Sequence, residues 1–222
     1  MSRSVGPLTL AHVASLPDPC RTCLRWELDE ASAAAVRRRG DPALEKEAWL
    51  SRTLLEWGSC GRVAHEGGEL AGFVTYAPPH LVPRSTGYPT SPVSADAVLL
   101  MTGGVLPGHR GGGLGRVLVQ SAAKDLTRRG VRAVEAFARV AGTPGEDAVP
   151  GRGDPTAVPA ARMEGSCHVP AEFLLQVGFE VVRDHPRWPR LRLELRTALQ
   201  WREDVERALD RILADLRVPA LG

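Results

Sequence analysis
The chain has 222 residues, 43% of them hydrophobic, and a formal net charge of +2. That is long and apolar enough for one substantial core, and too evenly charged for a nucleic-acid or membrane-surface binder. No stretch is suited to span a bilayer.

The N-terminal segment MSRSVGPLTL lacks the apolar run of a signal peptide, so a cytoplasmic location is expected. In that setting Cys20, Cys23, Cys60 and Cys167 are expected as thiols or metal ligands, not disulfides. Lys46 and Lys124 are the only lysines, and with so much Ala, Gly and Pro the excess of arginine reads as a compositional bias. Arg37, Arg38 and Arg39 are accordingly read as a solvated helix face. Val5 to Leu10 reads as a first strand, followed by a turn holding Pro and Cys. Helices are predicted around Arg25 to Arg39 and Pro42 to Trp57, with Gly40 between them and Asp41 as N-cap. Gly61 to His65 and Leu70 to Tyr76 form a hairpin about Glu66-Gly67-Gly68-Glu69. Pro78 to Pro92 is a proline-rich loop, and Ala97 to Val105 is an apolar run fit for a buried strand.

After a glycine cluster, Leu114, Val117, Leu118, Ser121, Ala122 and Leu126 recur at helical spacing, closed by Arg128-Arg129-Gly130. Val131 to Ala138 is the next strand, and Gly142 to Gly165, with prolines among glycines, reads as an insertion. Ala171 to Val177 is a short helix, followed by strands at Phe179 to Arg183 and Leu191 to Leu195. Ala198 to Leu216 reads as an amphipathic helix with its stripe on Trp201, Val205, Leu209, Ile212 and Leu216. One α/β domain over residues 1–197 is expected, with residues 198–222 packed on it or serving as a dimer seam.

The informative segment is Val105-Leu106-Pro107-Gly108-His109-Arg110-Gly111-Gly112-Gly113-Leu114-Gly115-Arg116, entered from a strand and left by a helix. Such a turn exposes the N–H groups of the helix's first turn, and with the helix dipole they suit a phosphate. Glycines let the backbone approach that anion, and Arg110 and Arg116 add charge. A Walker A loop fails because Arg116 and Val117 follow Gly115. A dinucleotide fingerprint fails because Arg116 or Leu118 stands where its last glycine belongs. The signature [R/Q]-x-x-G-x-[G/A] is satisfied by Arg110, Gly113 and Gly115.

At these residues the chain resembles the GNAT superfamily of acyl-CoA-dependent N-acetyltransferases. Gly104-Val105-Leu106-Pro107 looks like the end of that family's fourth strand, and Phe173 to Phe179 like its late helix running into Gly-Phe. The resemblance implies a mixed, mostly antiparallel sheet, splayed between strands 4 and 5 and flanked by helices. It implies acetyl-CoA as co-substrate, with its diphosphate on Arg110, Gly111, Gly112, Gly113, Leu114, Gly115 and Arg116. Gly103, Gly104 and Val105 would polarise the thioester carbonyl. It further implies direct transfer in a ternary complex to an amine-bearing small molecule or protein, by a monomer or homodimer.

The acid–base residues do not carry over. The family's tyrosine falls at Leu174, the fourth-strand carboxylate near Leu99, and the asparagine after the fifth strand near Gly142. The remaining candidates are Glu135 on the strand flanking the splay, and Cys167 and His168 before the late helix; Asp96 is weighed as well. Each has a plainer role beside the catalytic one: a salt bridge to Arg132 or Arg139 for Glu135, a strand-entry turn for Asp96, the start of a helix for Cys167 and His168. Cys20-x-x-Cys23 has zinc-ligand spacing but no second such pair, so buried thiols beside Trp26 are preferred and no metal is assigned. The loops at Pro78 to Pro92, bearing His80, Arg84 and Tyr88, and at Gly142 to Gly165 would shape the acceptor side. A non-catalytic acyl-CoA-binding protein that kept the cradle and lost the chemistry is the rival, kept open by Leu174 and Leu99.

Overall fold
A computed structural model describes residues 2–18, 20–140 and 167–195. Seven strands form one sheet in the order β1-β2-β3-β4-β5-β7-β6. They are β1 (Arg3–Pro7), β2 (Gly61–Glu66), β3 (Glu69–Ala77), β4 (Ala97–Val105), β5 (Ala133–Phe137), β6 (Glu180–Arg183) and β7 (Arg190–Glu194). Four α-helices accompany them: α1 (Glu30–Arg39), α2 (Pro42–Glu56), α3 (Leu114–Arg128) and α4 (Ala171–Gln176). The expected insertion at Gly142 to Gly165 and the helix at Ala198 to Leu216 lie outside the described residues.

Two boundaries differ most from those expected. The first strand is Arg3–Pro7, because the chain turns into a 3₁₀ segment at Leu10–Ser15. The first helix begins at Glu30, not Arg25: the Asp29 side chain accepts from Ser32 N (2.9 Å), which fixes the N-cap there. Trp26 and Glu27 are thereby left on an irregular segment that runs into the core. The second cap is where the sequence puts it, with Asp41 accepting from Leu44 N (3.2 Å) ahead of Pro42. Asp41→Ala is expected to cost about 1 kcal/mol, read as a lower midpoint in urea at unchanged slope.

Neighbouring strands are antiparallel except β4 and β5, which run parallel and pair only at Ala97–Ala133, Val98–Val134 and Leu99–Glu135. From Leu100 to Val105, β4 is paired on its β3 side, while β5 has diverged. The gap is the expected splay. Immediately beside it β4 carries a bulge: Thr75 pairs with Thr102 and Tyr76 with Leu100, so Met101 is an extra residue. Strict alternation would put Thr102 on the face of Leu100; the bulge turns it to the opposite face, beside Thr75 and Phe73.

The sheet separates two cores. On one face α3 and α4 bury Leu114, Leu118, Leu126 and Leu174 against Val74, Val98 and Leu100. On the other, Trp49 and Leu50 of α2, together with Trp26 and Tyr88 from loops, cover Phe73, Leu99, Met101 and Phe137. Among the described residues no helix is long and apolar enough to cross a membrane.

Candidate active site
β4 ends by delivering the chain into a turn that the glycines shape. Leu106 N donates to Ala71 O (2.9 Å), a 3₁₀ turn follows at Pro107–His109, and Gly111 and Gly113 take φ of +84° and +73°. Gly113 is the N-cap of α3 and has no side chain to cap it. Among the described residues, none of the N–H groups from Arg110 through Arg116 meets a backbone acceptor; the first such bond of the helix is Val117 N to Gly113 O. Helix dipole and open donors therefore coincide at this end. Gly115 serves packing: a Cβ there would stand 3.2 Å from the Phe173 ring and press it back by a few tenths of an ångström, so the bare position lets α4 sit close on α3.

The turn is braced from the far edge of the sheet. Arg3 Nε donates to Glu66 Oε1 (2.6 Å), and Arg3 Nη1 reaches Gly112 O (3.4 Å). His109 Nδ1 lies 2.7 Å from Glu66 Oε2, and the hydrogen bonds of His109 and Arg3 hold the Glu66 carboxyl below its ordinary range. Arg110 Nε donates to Val105 O (3.0 Å), and Arg116 bonds Gln176 O (3.0 Å), tying α3 to α4. Nothing in the sequence spacing pointed to Arg3 or Glu66, which meet the turn only through strand pairing.

Across the sheet, beside the bulge, lies a mostly apolar pocket whose walls include Trp26, Trp49, Phe73, Thr75 and Thr102. Its polar wall is built on a buried ion pair, Lys46 Nζ with Glu27 Oε1 (2.5 Å). Lys46 also donates to Cys23 O (2.6 Å). Burial opposes its charge most strongly, but Glu27, Cys23 and Cys167 together outweigh burial and raise the ammonium above its ordinary value. Cys20, Cys23 and Cys167 share this wall, and among the described residues no group of three or more His, Cys, Asp or Glu is arranged to hold a metal ion.

The residues expected for proton transfer fall in two places. Glu135 is fully buried and accepts from Arg190 Nη1 (2.6 Å), Arg192 Nη1 (3.1 Å) and Ser94 N (3.1 Å). Burial alone would raise its carboxyl, but Ser94 and the two guanidiniums hold it below the usual range. Its partners are thus β7 arginines, not Arg132 or Arg139. Asp96 is likewise engaged by Arg192, at 3.0 Å to each oxygen. Leu174 and Leu99 are buried and carry no proton.

Cys167 and His168 lie on the pocket side. The His168 ring sits among Trp26, Tyr88 and Trp188, 4.3 Å from the last, centroid to centroid. Burial first, then Arg25, Arg139 and Arg84, push it down to about 2, so it is neutral near pH 7 and a weak base. Its Nε2 is 2.5 Å from Tyr88 Oη. Tyr88 in turn stacks on Phe137 of β5, with centroids 4.4 Å apart and planes at 9°. Burial raises the Tyr88 hydroxyl to about 12, leaving it protonated. The sequence showed Tyr88 only as part of a long loop. Of the chain's two tyrosines, the other, Tyr76, faces α3 and bonds Asp125 (2.9 Å).

The fold is shared with solved structures. PaiA N-acetyltransferase from Thermoplasma acidophilum, solved with coenzyme A, is similar in fold at 12% identity and TM-score 0.51, over 87% of this chain and 99% of that one. YncA from Salmonella typhimurium, solved with its cofactor acetyl-CoA, is similar at 15% identity and TM-score 0.52, over 88% and 95%. At such identities the likeness is one of fold. Among curated proteins none matches this chain. The sequence profile described as the acetyltransferase (GNAT) family matches residues 22–146, more than half of the chain, including the splayed strands and the glycine-rich turn. The chain belongs to the GNAT acetyltransferase family.

Proposed function
We propose that this protein is an N-acetyltransferase that moves an acetyl group from acetyl-CoA to an amine acceptor by direct transfer in a ternary complex. The observation that carries this reading is the continuity of a gap between β4 and β5 with a turn of open N–H groups at the mouth of α3. A diphosphate suits that turn, where Gly111 and Gly113 leave open space in place of side chains. Gly103, Gly104 and Val105 lie on the splayed part of β4, where backbone N–H groups suit the thioester oxygen. The co-substrate supplies an activated acyl thioester; the protein's part is to orient it, exclude water and manage protons.

The acceptor amine has to arrive neutral, and a lysine-like amine, with a pKa of about 10.4, is mostly protonated at neutral pH. The apolar side chains beside Thr102 support desolvation as the means of lowering that value. For the proton required by the departing sulfur, Tyr88 is the group we assign, oriented by the neutral His168 and by stacking on Phe137. This replaces the family's tyrosine, whose position holds Leu174.

The same buried Leu174 and Leu99 favour the second reading, an acyl-CoA-binding protein without catalysis. Titration with acetyl-CoA followed by a panel of amines separates the two. Ligand-induced thermal stabilisation together with acetylated product supports the enzyme; stabilisation without product across a broad panel supports the binder. Tyr88→Phe is expected to lower kcat about 100-fold while leaving acetyl-CoA stabilisation unchanged. An unchanged kcat would remove Tyr88 from the mechanism.

A further inference from the structure
The four cysteines divide by environment. Cys60 is buried, its thiol raised to about 12 by loss of solvent. Cys23 and Cys167, separated by 144 positions in sequence, bring their Sγ atoms to 2.9 Å. A disulfide bond is about 2.05 Å long, so less than about 1 Å of closure separates the two thiols from a covalent link. The contact joins Cys23 to Cys167, not to Cys20 of the same C-x-x-C segment.

The approach is held from both sides. Lys46 Nζ donates to the Cys23 carbonyl (2.6 Å), and Lys46 is itself fixed by Glu27. Trp26 Nε1 donates to the Cys167 carbonyl (2.9 Å). Each cysteine backbone is thus tied to a side chain of the same buried wall, while both cysteines sit on irregular segments, partly open to solvent, where a small closure is tolerated. The chemistry is asymmetric as well. The hydrogen bond with Cys167 lowers Cys23, whereas the same contact and burial raise Cys167; burial raises Cys20 to about 11. Cys23 is therefore the thiol of this wall that ionises first, with the Lys46 ammonium nearby.

We propose that Cys23 and Cys167 form a reversible disulfide, a redox-modification site on the wall of the acceptor-side pocket that takes hydroperoxides as its oxidant. The Cys23 thiolate attacks a peroxide oxygen; an S–O bond forms, the O–O bond breaks, and with hydrogen peroxide the leaving hydroxide becomes water. The sulfur of Cys167 then attacks the Cys23 sulfenic acid. The S–S bond forms, the S–O bond breaks, and the Cys167 proton leaves with the hydroxide as a second water. Two thiols and one hydrogen peroxide give one disulfide and two waters, the two electrons passing from sulfur to oxygen. A dithiol reductant reverses the bond. The consequence for turnover rests on the transferase reading: the link stiffens the pocket wall next to Thr102 and leaves the diphosphate turn on the other side untouched, so oxidation lowers acceptor turnover and spares acetyl-CoA binding.

The full chain is treated with hydrogen peroxide near stoichiometry, alkylated under denaturing conditions, and examined by intact mass and peptide mapping. The expected result is loss of two hydrogens, a fall in alkylatable thiols from the four cysteines of the sequence to two, and a Cys23–Cys167 linked peptide that disappears with dithiothreitol. Cys23→Ser is expected to keep its remaining thiols under the same dose. A Cys20–Cys23 link, an intermolecular link, sulfinic acid at Cys23, or four thiols still free would each overturn the proposal; the wild-type map decides even if the variant does not fold. In the second arm, acetylated product formed by oxidised protein is expected to fall at least tenfold and to recover with reductant. Unchanged turnover in a protein carrying the mapped link would overturn the regulatory consequence. Absence of product from reduced protein would count against the transferase reading, and the peptide map would still decide the thiol pair.

Discussion
Replacing Gly113 by valine is expected to remove most of the thermal stabilisation that acetyl-CoA confers. Gly113 holds φ at +73° as the N-cap of α3, a backbone region that costs an L-residue about 1–2 kcal/mol and a β-branched one more. That strain lowers the melting temperature of the free protein by a few degrees, roughly 2–4 °C per kcal/mol at this size. The larger effect concerns the ligand. A Cβ at 113 meets no protein atom within 4 Å, so the added side chain enters the space the diphosphate is proposed to fill. At a ligand concentration a hundredfold above Kd, wild-type stabilisation is about 2.7 kcal/mol, and a hundredfold weaker complex retains about 0.4 kcal/mol. Differential scanning fluorimetry with and without acetyl-CoA separates the two effects: the baseline moves a little and the ligand increment falls to a small fraction of wild type. If Gly113→Val keeps the full increment, the turn is not where the co-substrate sits.

Much of this was legible because the relevant signals are local. The strand-to-helix passage through Val105 to Arg116, the Asp41 cap and the Gly67-Gly68 hairpin each depend on residues within a few positions of one another, and all three appear as expected. The splay followed from a family resemblance, not from periodicity. The sequence puts the start of the first helix near Arg25, but the cap at Asp29 decides the boundary. The pocket wall was not legible. Lys46 reads as one more polar residue of a surface helix, and only tertiary packing sets it against Glu27. The Met101 bulge has no signature in the letters either, although it decides which face Thr102 presents. In the sequence Cys167 and His168 stand out by their position before the late helix; their surroundings, a thiol and an aromatic cage, come from residues distant in sequence or on another loop.

Glu135 marks the point where β4 and β5 part, and its replacement tests whether that carboxylate works as chemistry or as structure. The side chain is fully buried, with Arg190 and Arg192 only 12% and 15% exposed beside it. Removing the carboxylate leaves the buried Arg190 guanidinium without its counter-charge, while Arg192 keeps Asp96 and Glu194; stranding one buried charge in this way costs about 3–5 kcal/mol. Glu135→Gln is therefore expected to lose about that much stability in urea titration and to loosen the pairing Leu99–Glu135–Arg192 at the base of the splay. The pH dependence has a definite sign. Glu135 is depressed below its ordinary 4.5, so its contribution is present above that value and is lost as pH falls through the folded-state pKa. His168 is also depressed, from 6.5 to about 2, so keeping it neutral and buried costs stability progressively below pH 6.5. In Glu135→Gln the His168 decline from pH 6.5 downward should persist, whereas the additional steepening below pH 4.5 should diminish. A general base in this position predicts the opposite pattern: stability near wild type and turnover lost. Measuring urea midpoints at pH 7, 5.5 and 4 beside kcat at pH 7 decides between the two, because a buttress and a base cannot give the same pair of results.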